Sequence, residues 1–270
     1  PSFTAVDIAT NADHAEDVHV ADMDGDGDLD IVSASSNDST IAWYENNGAT
    51  DPTFTASDIT TSASGAHDIF LIDIDHDGDV DIVSAEKNDG TIAWYANNGA
   101  ANPTWTGTDI DTNALGARSV YAADMDGDGD LDIISASEDD DTIAWYESDV
   151  ASNNDTAIMA QVGDDYASTS GTLTFSPGET SKTFNVIISE DLIPENNETV
   201  QLTLSNPTNT TISDATGSVV ITDDDAIKWD EYELTTSADG AYDVHVADMD
   251  SDGDMDIVAS SIHDDTIRWY

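Results

Sequence analysis

The sequence predicts an all-β protein in which one repeat occurs four times and is interrupted once by a second β domain. An acidic stretch, first seen as "ADMDGDGDLDIVSAS" from Ala21 to Ser35, returns three more times in the 270 residues. The first three copies are evenly spaced, and the fourth follows after one period and an additional segment; their leading aspartates are Asp22, Asp73, Asp124 and Asp248. Between them, short runs of β-branched and aromatic residues alternate with Gly, Asn and Asp, and none has helical periodicity.

Each repeat contains the same segments in the same order. In the second repeat an aromatic-bearing segment, "DPTFTASDI", comes first and the apolar segment "DIFLID" follows; the acidic loop, "DIVSA" and "TIAWY" complete the unit. Four short strands in about fifty residues are typical of one β-propeller blade. The sequence therefore predicts four propeller units that each begin at the aromatic segment, three in residues 1–148 and one in residues 227–270.

The acidic loop carries oxygen ligands at alternating positions. With the leading aspartate as position 1, carboxylates occupy positions 1, 3, 5 and 9, and a Gly at position 6 of all four loops permits a sharp turn. The backbone carbonyl of position 7 is a further donor. Oxygen-only donors in this pattern suit Ca²⁺ better than Mg²⁺, which prefers strict octahedral geometry and retains water. The predicted carboxylate ligands are Asp22, Asp24, Asp26 and Asp30; Asp73, Asp75, Asp77 and Asp81; Asp124, Asp126, Asp128 and Asp132; and Asp248, Asp250, Asp252 and Asp256; the carbonyl donors are Asp28, Asp79, Asp130 and Asp254.

An EF-hand and a metal-free turn are the two other interpretations of the acidic loop. An EF-hand requires a Glu at position 12 and a following helix, whereas position 12 of the first loop is Ser33 and "DIVSAS" has strand character. Solvated Asp-Gly turns without metal are the second alternative, and the retention of every side-chain ligand in all four loops argues against them. The sequence therefore predicts about four calcium sites in the repeats.

A D-x-D-x-D-G-x-x-D loop between strands, in units that end "IAWYEN", resembles the FG-GAP/VCBS family of repeats. The resemblance implies calcium-binding loops in a β-propeller that usually has seven blades, as found in integrin α-subunit heads, bacterial surface proteins, lectin-like propellers and accessory parts of polysaccharide-degrading enzymes. This sequence has four units. We expect either further blades outside the sequence or an assembly with other chains, and closure of the four units as a small propeller is the alternative.

Residues 149–226 differ in character and predict an antiparallel β-sandwich with strands "GTLTF", "KTFNVII", "TVQLTL" and "SVVIT". The order "DY…SGTLTF-PGE-SKTF…NETV-LTLSNP…DDDA" is similar to the Calx-β domain. That resemblance implies candidate calcium ligands at Asp165, Glu190, Asp191, Glu195, Glu198, Asp223, Asp224 and Asp225, with an acidic solvated loop end as the alternative. Only one strand, "TAIMAQV", precedes "DY", where the family has about two more. We expect a partner chain or further sequence to complete the sandwich by strand addition.

The amino-acid composition argues against several classes of binding and chemistry. The chain has 58 acidic residues, five basic residues and no cysteine, for a formal charge of -53. This composition excludes binding of nucleic acids by phosphate neutralisation, disulfides and thiolate chemistry. It also argues against adhesion to anionic membranes. No apolar run reaches the length of a membrane span. No signal peptide is visible and the sequence starts at Pro1 rather than Met, so we expect a processed chain or part of a longer one. Charge of this size needs salt or bound cations.

Other residues do not indicate catalysis. The Trp-Tyr pair of each repeat predicts packing between blades, with sugar stacking as the alternative. His19 and His245 occupy a position that holds Phe70 and Tyr121 in the other repeats, which indicates packing. No nucleophile triad or single carboxylate pair stands out.

We predict a non-enzymatic extracellular, calcium-binding adhesion or structural protein whose partner is a surface protein, a glycan or copies of itself. A lectin-like propeller and an accessory module of a secreted polysaccharide-degrading enzyme remain alternatives. A halophile's acidic surface would explain the charge alone.

Overall fold

A computed structural model describes residues 5–148, 166–167, 170–189, 198–221, 227, 229–251 and 253–270. Within these residues the protein is all-β, with antiparallel strands and no helix. The chain divides into two compact units, one formed by Pro1–Ser148 with Lys228–Tyr270 and the other by Asp149–Ile227. We call them the repeat unit and the inserted unit.

The strands follow one another in the order of the sequence repeats. The first three repeats contribute β1 (Ala15–Ala21), β2 (Asp30–Ser35), β3 (Thr40–Asn46), β4 (Phe54–Thr60), β5 (Ala66–Ile72), β6 (Asp81–Glu86), β7 (Thr91–Asn97), β8 (Trp105–Asp111), β9 (Ala117–Ala123), β10 (Asp132–Ser137) and β11 (Thr142–Ser148). The inserted unit contains β12 (Tyr166–Ala167), β13 (Ile187–Ile188), β14 (Glu198–Thr203) and β15 (Thr216–Ile221). The last repeat contains β16 (Trp229–Thr235), β17 (Ala241–Ala247), β18 (Asp256–Ser261) and β19 (Thr266–Trp269).

The repeat unit consists of four antiparallel sheets. Sheet 1 has the order β1-β2-β3-β4, sheet 2 the order β5-β6-β7-β8, sheet 3 the order β9-β10-β11-β16, and sheet 4 the order β17-β18-β19. The first strands of consecutive sheets contact one another along the series. The described residues show a row of four blade-like sheets and do not show a closed propeller.

The predicted boundary between repeats was wrong by one strand. The aromatic segments were expected to begin each unit, but β4, β8 and β16 instead pair as the outermost strand of the preceding sheet. The reason is that each such segment follows "TIAWY" and pairs antiparallel with it, as Tyr44 opposite Ala56 shows. Along the chain, the inserted unit therefore separates two paired strands of sheet 3, β11 and β16.

The hydrophobic core lies between consecutive sheets and repeats from one interface to the next. Between sheets 1 and 2, Val32, Ile41 and Trp43 pack in one cluster with Ile69 and Tyr95. Three of these positions recur in the cluster between sheets 3 and 4, as Ile134, Ile143 and Val244, whereas the equivalents of Trp43 and Tyr95 do not belong to it. Burial of each aliphatic side chain contributes about 1.5–3 kcal/mol, so these interfaces hold the sheets in a row.

The packing interpretation of the Trp-Tyr pairs is confirmed for the first two repeats. Trp43, Tyr44, Trp94 and Tyr95 are all buried. The third pair is held differently: Tyr146 is buried, while the ring of Trp145 stacks on Tyr232 with centroids 5.0 Å apart. The fourth pair, Trp269-Tyr270, is exposed.

The histidine position on the first strands also serves packing. The rings of His19, Phe70, Tyr121 and His245 form a continuous row, with centroids 6.4, 4.6 and 4.9 Å apart. Contacts at these distances are typical of aromatic pairs in protein interiors. The row links the four sheets, as the exchange of His for Phe and Tyr predicted.

Two of the five basic residues hold sheets 2, 3 and 4 together. Arg118 and Lys87 both bind the carboxylate of Glu138, and the Arg118 guanidinium lies 4.7 Å from the ring centroid of Tyr242. Arg118 also donates to Nε2 of His67, so Nδ1 of His67 carries the proton and donates to the Arg118 carbonyl. Burial and the neighbouring guanidinium lower the pKa of His67, which keeps this ring neutral.

The inserted unit contains two two-stranded sheets in its described part. β12 pairs with β13, and β14 pairs with β15 over six residue pairs. The strands predicted from "TVQLTL" and "SVVIT" are therefore present as β14 and β15. "GTLTF" at residues 171–175 and most of "KTFNVII" are not strands, because alternating polarity forms a strand only where a neighbour pairs with it. "TAIMAQV" lies outside the described residues.

Candidate metal centres

Each acidic loop joins the first two strands of a sheet. The connections follow β1, β5, β9 and β17, so the four loops occupy equivalent places in the four sheets. In each loop the carboxylates of positions 1, 3 and 9 offer ligand atoms that lie within 4.8 Å of one another; the groups are Asp22, Asp24 and Asp30; Asp73, Asp75 and Asp81; Asp124, Asp126 and Asp132; and Asp248, Asp250 and Asp256. In each of the four loops, carboxylates eight residues apart are thus brought close together.

Glycine at position 6 permits the turn. Gly27, Gly78, Gly129 and Gly253 have φ of 94, 99, 104 and 103°, in the region that a Cβ disfavours. In the first two loops this glycine donates its N–H to the position-1 carboxylate: Gly27 to Asp22 at 2.9 Å and Gly78 to Asp73 at 3.0 Å. The predicted role of the glycine is confirmed.

The position-9 aspartate connects the loop to the end of the third strand. Asp81 is fully buried, and it accepts from the backbone N–H of Ile74 at 3.3 Å and of Asn97 at 2.7 Å. Asp30 and Asp132 accept the equivalent pairs of bonds. This carboxylate therefore organises the fold as well as the cluster.

Position 5 has a different environment from the other carboxylates. Asp26, Asp77 and Asp128 each accept the N–H of the residue two positions later at 2.9 Å. One oxygen of each thus closes the turn locally, and none of the three belongs to the groups within 4.8 Å. The fourth, Asp252, lies outside the described residues. The position-7 carbonyls remain predicted donors.

Buried carboxylate oxygens in the clusters lack a protein partner. Oδ1 of Asp22 and Oδ1 of Asp73 are buried without a hydrogen bond, although Oδ2 of each accepts from a glycine. Because an unsatisfied buried carboxylate oxygen is costly, these atoms indicate a missing positive ligand. The donor set fits a hard divalent cation, since every side-chain ligand is a carboxylate oxygen.

Proton affinity in the clusters is raised. Burial, followed by repulsion from Asp75, raises the pKa of Asp81 to about 8. Burial, followed by neighbouring aspartates, raises the pKa of Asp77 and of Asp132 to about 6. Without a cation the clusters thus hold protons in place of part of their negative charge.

Calcium binding is therefore predicted to strengthen as pH rises from about 5 to 8, because Ca²⁺ must displace the protons held by Asp77, Asp81 and Asp132. Calorimetry in buffers of different ionisation enthalpy will measure the released protons. The calcium-free protein shows the opposite trend: the folded state binds more protons than the unfolded state in this window, so its stability falls as pH rises. An affinity that does not change between pH 5 and 8 would contradict this.

Sequence reasoning missed one contributor. Asn46 and Asn97, at the ends of β3 and β7, donate through Nδ2 to the loop carbonyls of Leu29 and Val80 at 2.9 and 3.1 Å. The signal was present, since "NNG" follows the aromatic pair in the first two repeats. These amides fix the loop against the third strand.

The acids predicted as ligands in the inserted unit are outside the described part of the structure. Asp165, Glu190, Asp191, Glu195, Asp223, Asp224 and Asp225 are not described. Only the backbone of Glu198 is described, at the start of β14. Their calcium role stays a prediction.

Comparison with family models agrees with this geometry. The model for the FG-GAP-like repeat matches residues 22–84 and 73–135, which include the first three acidic loops. The model for the Calx-beta domain matches residues 131–225. The chain carries FG-GAP-like repeats and a Calx-beta domain. No curated protein matches the chain as a relative.

The Calx-beta match begins inside the FG-GAP-like part of the chain. Residues 131–148 fall within the match, but they include β10 and β11, which pair with β9 and β16 in sheet 3. The same residues cannot also serve as strands of the Calx-beta domain.

In the described residues there is no helix that could cross a membrane.

Proposed function

We propose that this protein is an extracellular calcium-binding adhesion or structural protein, and that each FG-GAP-like loop binds one Ca²⁺. The observation that carries the proposal is the repetition of one cluster geometry in four loops, with ligand atoms within 4.8 Å in each. Solvated turns need not converge, because three carboxylates at this distance repel one another without a cation.

The described residues support a division of roles within each loop. Positions 1, 3 and 9 would bind the ion through carboxylates, and position 9 would also couple it to the third strand through its bonds to backbone N–H groups. Asp81 illustrates this coupling, since it contacts both Ile74 and Asn97. An ion here fixes the connection between two strands and transmits that order to the sheet.

Charge and composition favour an extracellular location. Four Ca²⁺ would offset eight of the 53 negative charges. Calcium sites of extracellular modules have dissociation constants of about 10⁻⁴–10⁻³ M, which fill where free calcium is high. Without cysteine, the fold has no disulfide, so bound metal supplies an alternative constraint.

A non-enzymatic role agrees with the domain types, since FG-GAP-like repeats and Calx-beta domains are non-catalytic repeat or binding domains. The lectin alternative predicts exposed Trp-Tyr rings. Trp43, Tyr44, Trp94 and Tyr95 are instead buried, so no specific observation at these two pairs favours stacking on sugars.

Calcium titration by calorimetry tests the proposal. We expect the repeat unit to bind four Ca²⁺ and each of the variants Asp24→Asn, Asp75→Asn and Asp126→Asn to lose one, because position 3 is a carboxylate of each cluster. Asp51→Asn, an exposed aspartate outside the loops, is the matched control and keeps all four. Full retention of binding in the three loop variants would reject the assignment of these sites.

A further inference from the structure

Sheet 4 differs from the other three at its outer edge. Sheets 1 to 3 each have a fourth strand, formed by β4, β8 and β16, whereas β19 pairs only with β18 in the described part of the chain. An edge of this kind presents backbone N–H and C=O groups that another strand can pair with.

The outer face of sheet 4 is also uncovered. Ile267 and Trp269 are 79% and 58% exposed, whereas Ile41 and Trp43, which occupy the same positions in sheet 1, are 0% and 2% exposed. In sheet 1, Ile41 and Trp43 are buried because sheet 2 packs against them. Sheet 4 therefore carries the apolar face that contacts a following sheet, and no following sheet is present in the described residues.

Sheet 1 carries the complementary face. An apolar groove there is lined by Ala12, Ala15, Val18, Ile31 and Tyr44. One period later, Ala63, Ala66, Ile69, Ile82 and Tyr95 are the residues by which sheet 2 packs against sheet 1. Val18 is 61% exposed, whereas its counterpart Ile69 is 1% exposed. The groove is thus the half-interface that in sheets 2 to 4 receives a preceding sheet.

The sequence before β1 matches the strand that sheet 4 lacks. Residues 3–9, "FTAVDIA", share five of seven residues with "FTASDIT" of β4. In this segment Val6 and Ile8 are exposed, and residues 5–9 form no strand. This segment has the sequence of an outer strand, but its described residues pair with no other strand.

Charge fixes the register of the missing pair. In sheets 1, 2 and 3 the acid of the outer strand lies opposite an alanine: Ala42 and Asp58, Ala93 and Asp109, Ala144 and Glu233. At the equivalent place in sheet 4 the chain has Arg268, and the acid of residues 3–9 is Asp7. One of only five basic residues thus stands where an Asp7 strand would meet it, and opposite charges across strands are favourable. Arg268 already binds Asp264 and Ser261 through its guanidinium, so Asp7 would join this ion pair as a second carboxylate.

We propose that a second copy of this chain docks on sheet 4 in a head-to-tail manner. The outer face of sheet 4 packs in the groove of sheet 1 of the next copy, and residues 3–9 of that copy pair with β19, with Asp7 opposite Arg268. The occupant is a second copy because both half-interfaces are exposed within one chain and together reproduce the interface found between its own sheets. A heterologous contact of this kind gives a ring or an open chain of copies.

The proposal rests on the structural role proposed for this protein, and the docking and calcium proposals can fail separately. Calcium stoichiometry is measured by calorimetry and association by mass, so a monomer that binds four Ca²⁺ would overturn the docking proposal alone. Association in the charge-dependent manner described next, without calcium uptake, would overturn the calcium proposal alone.

Sedimentation velocity in millimolar calcium, at protein concentrations up to about 100 µM, tests the docking, since interfaces of standard size have dissociation constants from about µM to pM. We expect dimers and larger species for the natural chain. Asp7→Arg and Arg268→Asp should each weaken association at least about tenfold, because each places like charges opposite one another. Asp51→Arg, which makes the same charge change as Asp7→Arg in an exposed loop, should associate as the natural chain does.

Mixing the two charge variants separates this contact from general charge effects. In the mixture, the sheet 4 edge with Arg268→Asp meets the segment with Asp7→Arg, and the natural Arg268 of one variant meets the natural Asp7 of the other, so both contacts between unlike copies are favourable. Dimers and larger species of alternating copies, which neither variant forms alone, are therefore expected. Calcium-dependent melting of each variant verifies that it is folded. A natural chain that stays monomeric, or a mixture that behaves like its separate components while both are folded, would overturn the proposal.

Discussion

Removing calcium will destabilise the repeat unit by about 11 kcal/mol, if each of four sites has a dissociation constant of about 10⁻⁴ M and free calcium is about 10 mM. Each filled site then contributes about 2.7 kcal/mol through linkage to folding. The physical reason is that twelve clustered carboxylates, three in each loop, lose the cation that offsets their repulsion. For a unit of this size the midpoint of thermal unfolding should fall by roughly 20–40 °C in excess EGTA.

Circular dichroism during heating, with calcium and with EGTA at constant ionic strength, measures this shift. Magnesium and sodium chloride are the controls, because screening alone acts on exposed charge at any site. If sodium chloride at high concentration restores the full midpoint in EGTA, the halophile explanation of the charge is correct and bound calcium is not the cause. If calcium restores it at millimolar concentration and magnesium does not, the loops are specific sites.

Replacing Asp81 by Asn will have the largest effect of any single loop substitution, a loss of about 3–5 kcal/mol in calcium. Its carboxylate is fully buried and accepts two backbone N–H bonds, from Ile74 and Asn97. An amide retains only one acceptor oxygen, so one of these N–H groups would face an NH₂ group. The variant also loses a ligand of the second cluster.

Urea denaturation with calcium and with EGTA separates the two contributions. Since the pKa of Asp81 is raised to about 8, this group is largely neutral at pH 7 without calcium, and the amide should then cost less than it does in calcium. Asp51→Asn should change stability by no more than about 0.5 kcal/mol in either condition. An equal loss for Asp81→Asn with and without calcium would show that its role is hydrogen bonding alone.

The loops were predictable from sequence because every element of the design is local. The carboxylates at positions 1, 3 and 9 and the glycine at position 6 lie within nine residues, and the chain repeats them four times. A glycine between aspartates indicates a position where the backbone needs a positive φ, and Gly27 and Gly78 have positive φ. The burial of Trp43 and Trp94 was likewise predictable, since the same aromatic recurs at one place in each repeat.

Long-range pairing was not predictable in the same way. The sequence shows that "FTASDIT" is a strand, but its neighbour depends on hydrogen bonds between distant residues, and the structure places it after β3 of the preceding repeat. In the inserted unit, alternation at residues 171–175 predicted a strand that has no pairing neighbour in the described residues. A strand is stabilised by its neighbours more than by its own residues.

The amino-acid sequence alone therefore specifies the all-β class, the four repeats and the composition of each acidic loop, because spacing and residue type carry that information within a few residues. The tertiary structure is needed to show that the position-9 aspartate joins loop to strand, that each aromatic strand completes the preceding sheet, and that Ile267 and Trp269 are exposed while Ile41 and Trp43 are buried. Identical sequence patterns differ in burial because burial depends on which sheet lies next to them, and that is a property of the folded chain and its neighbours.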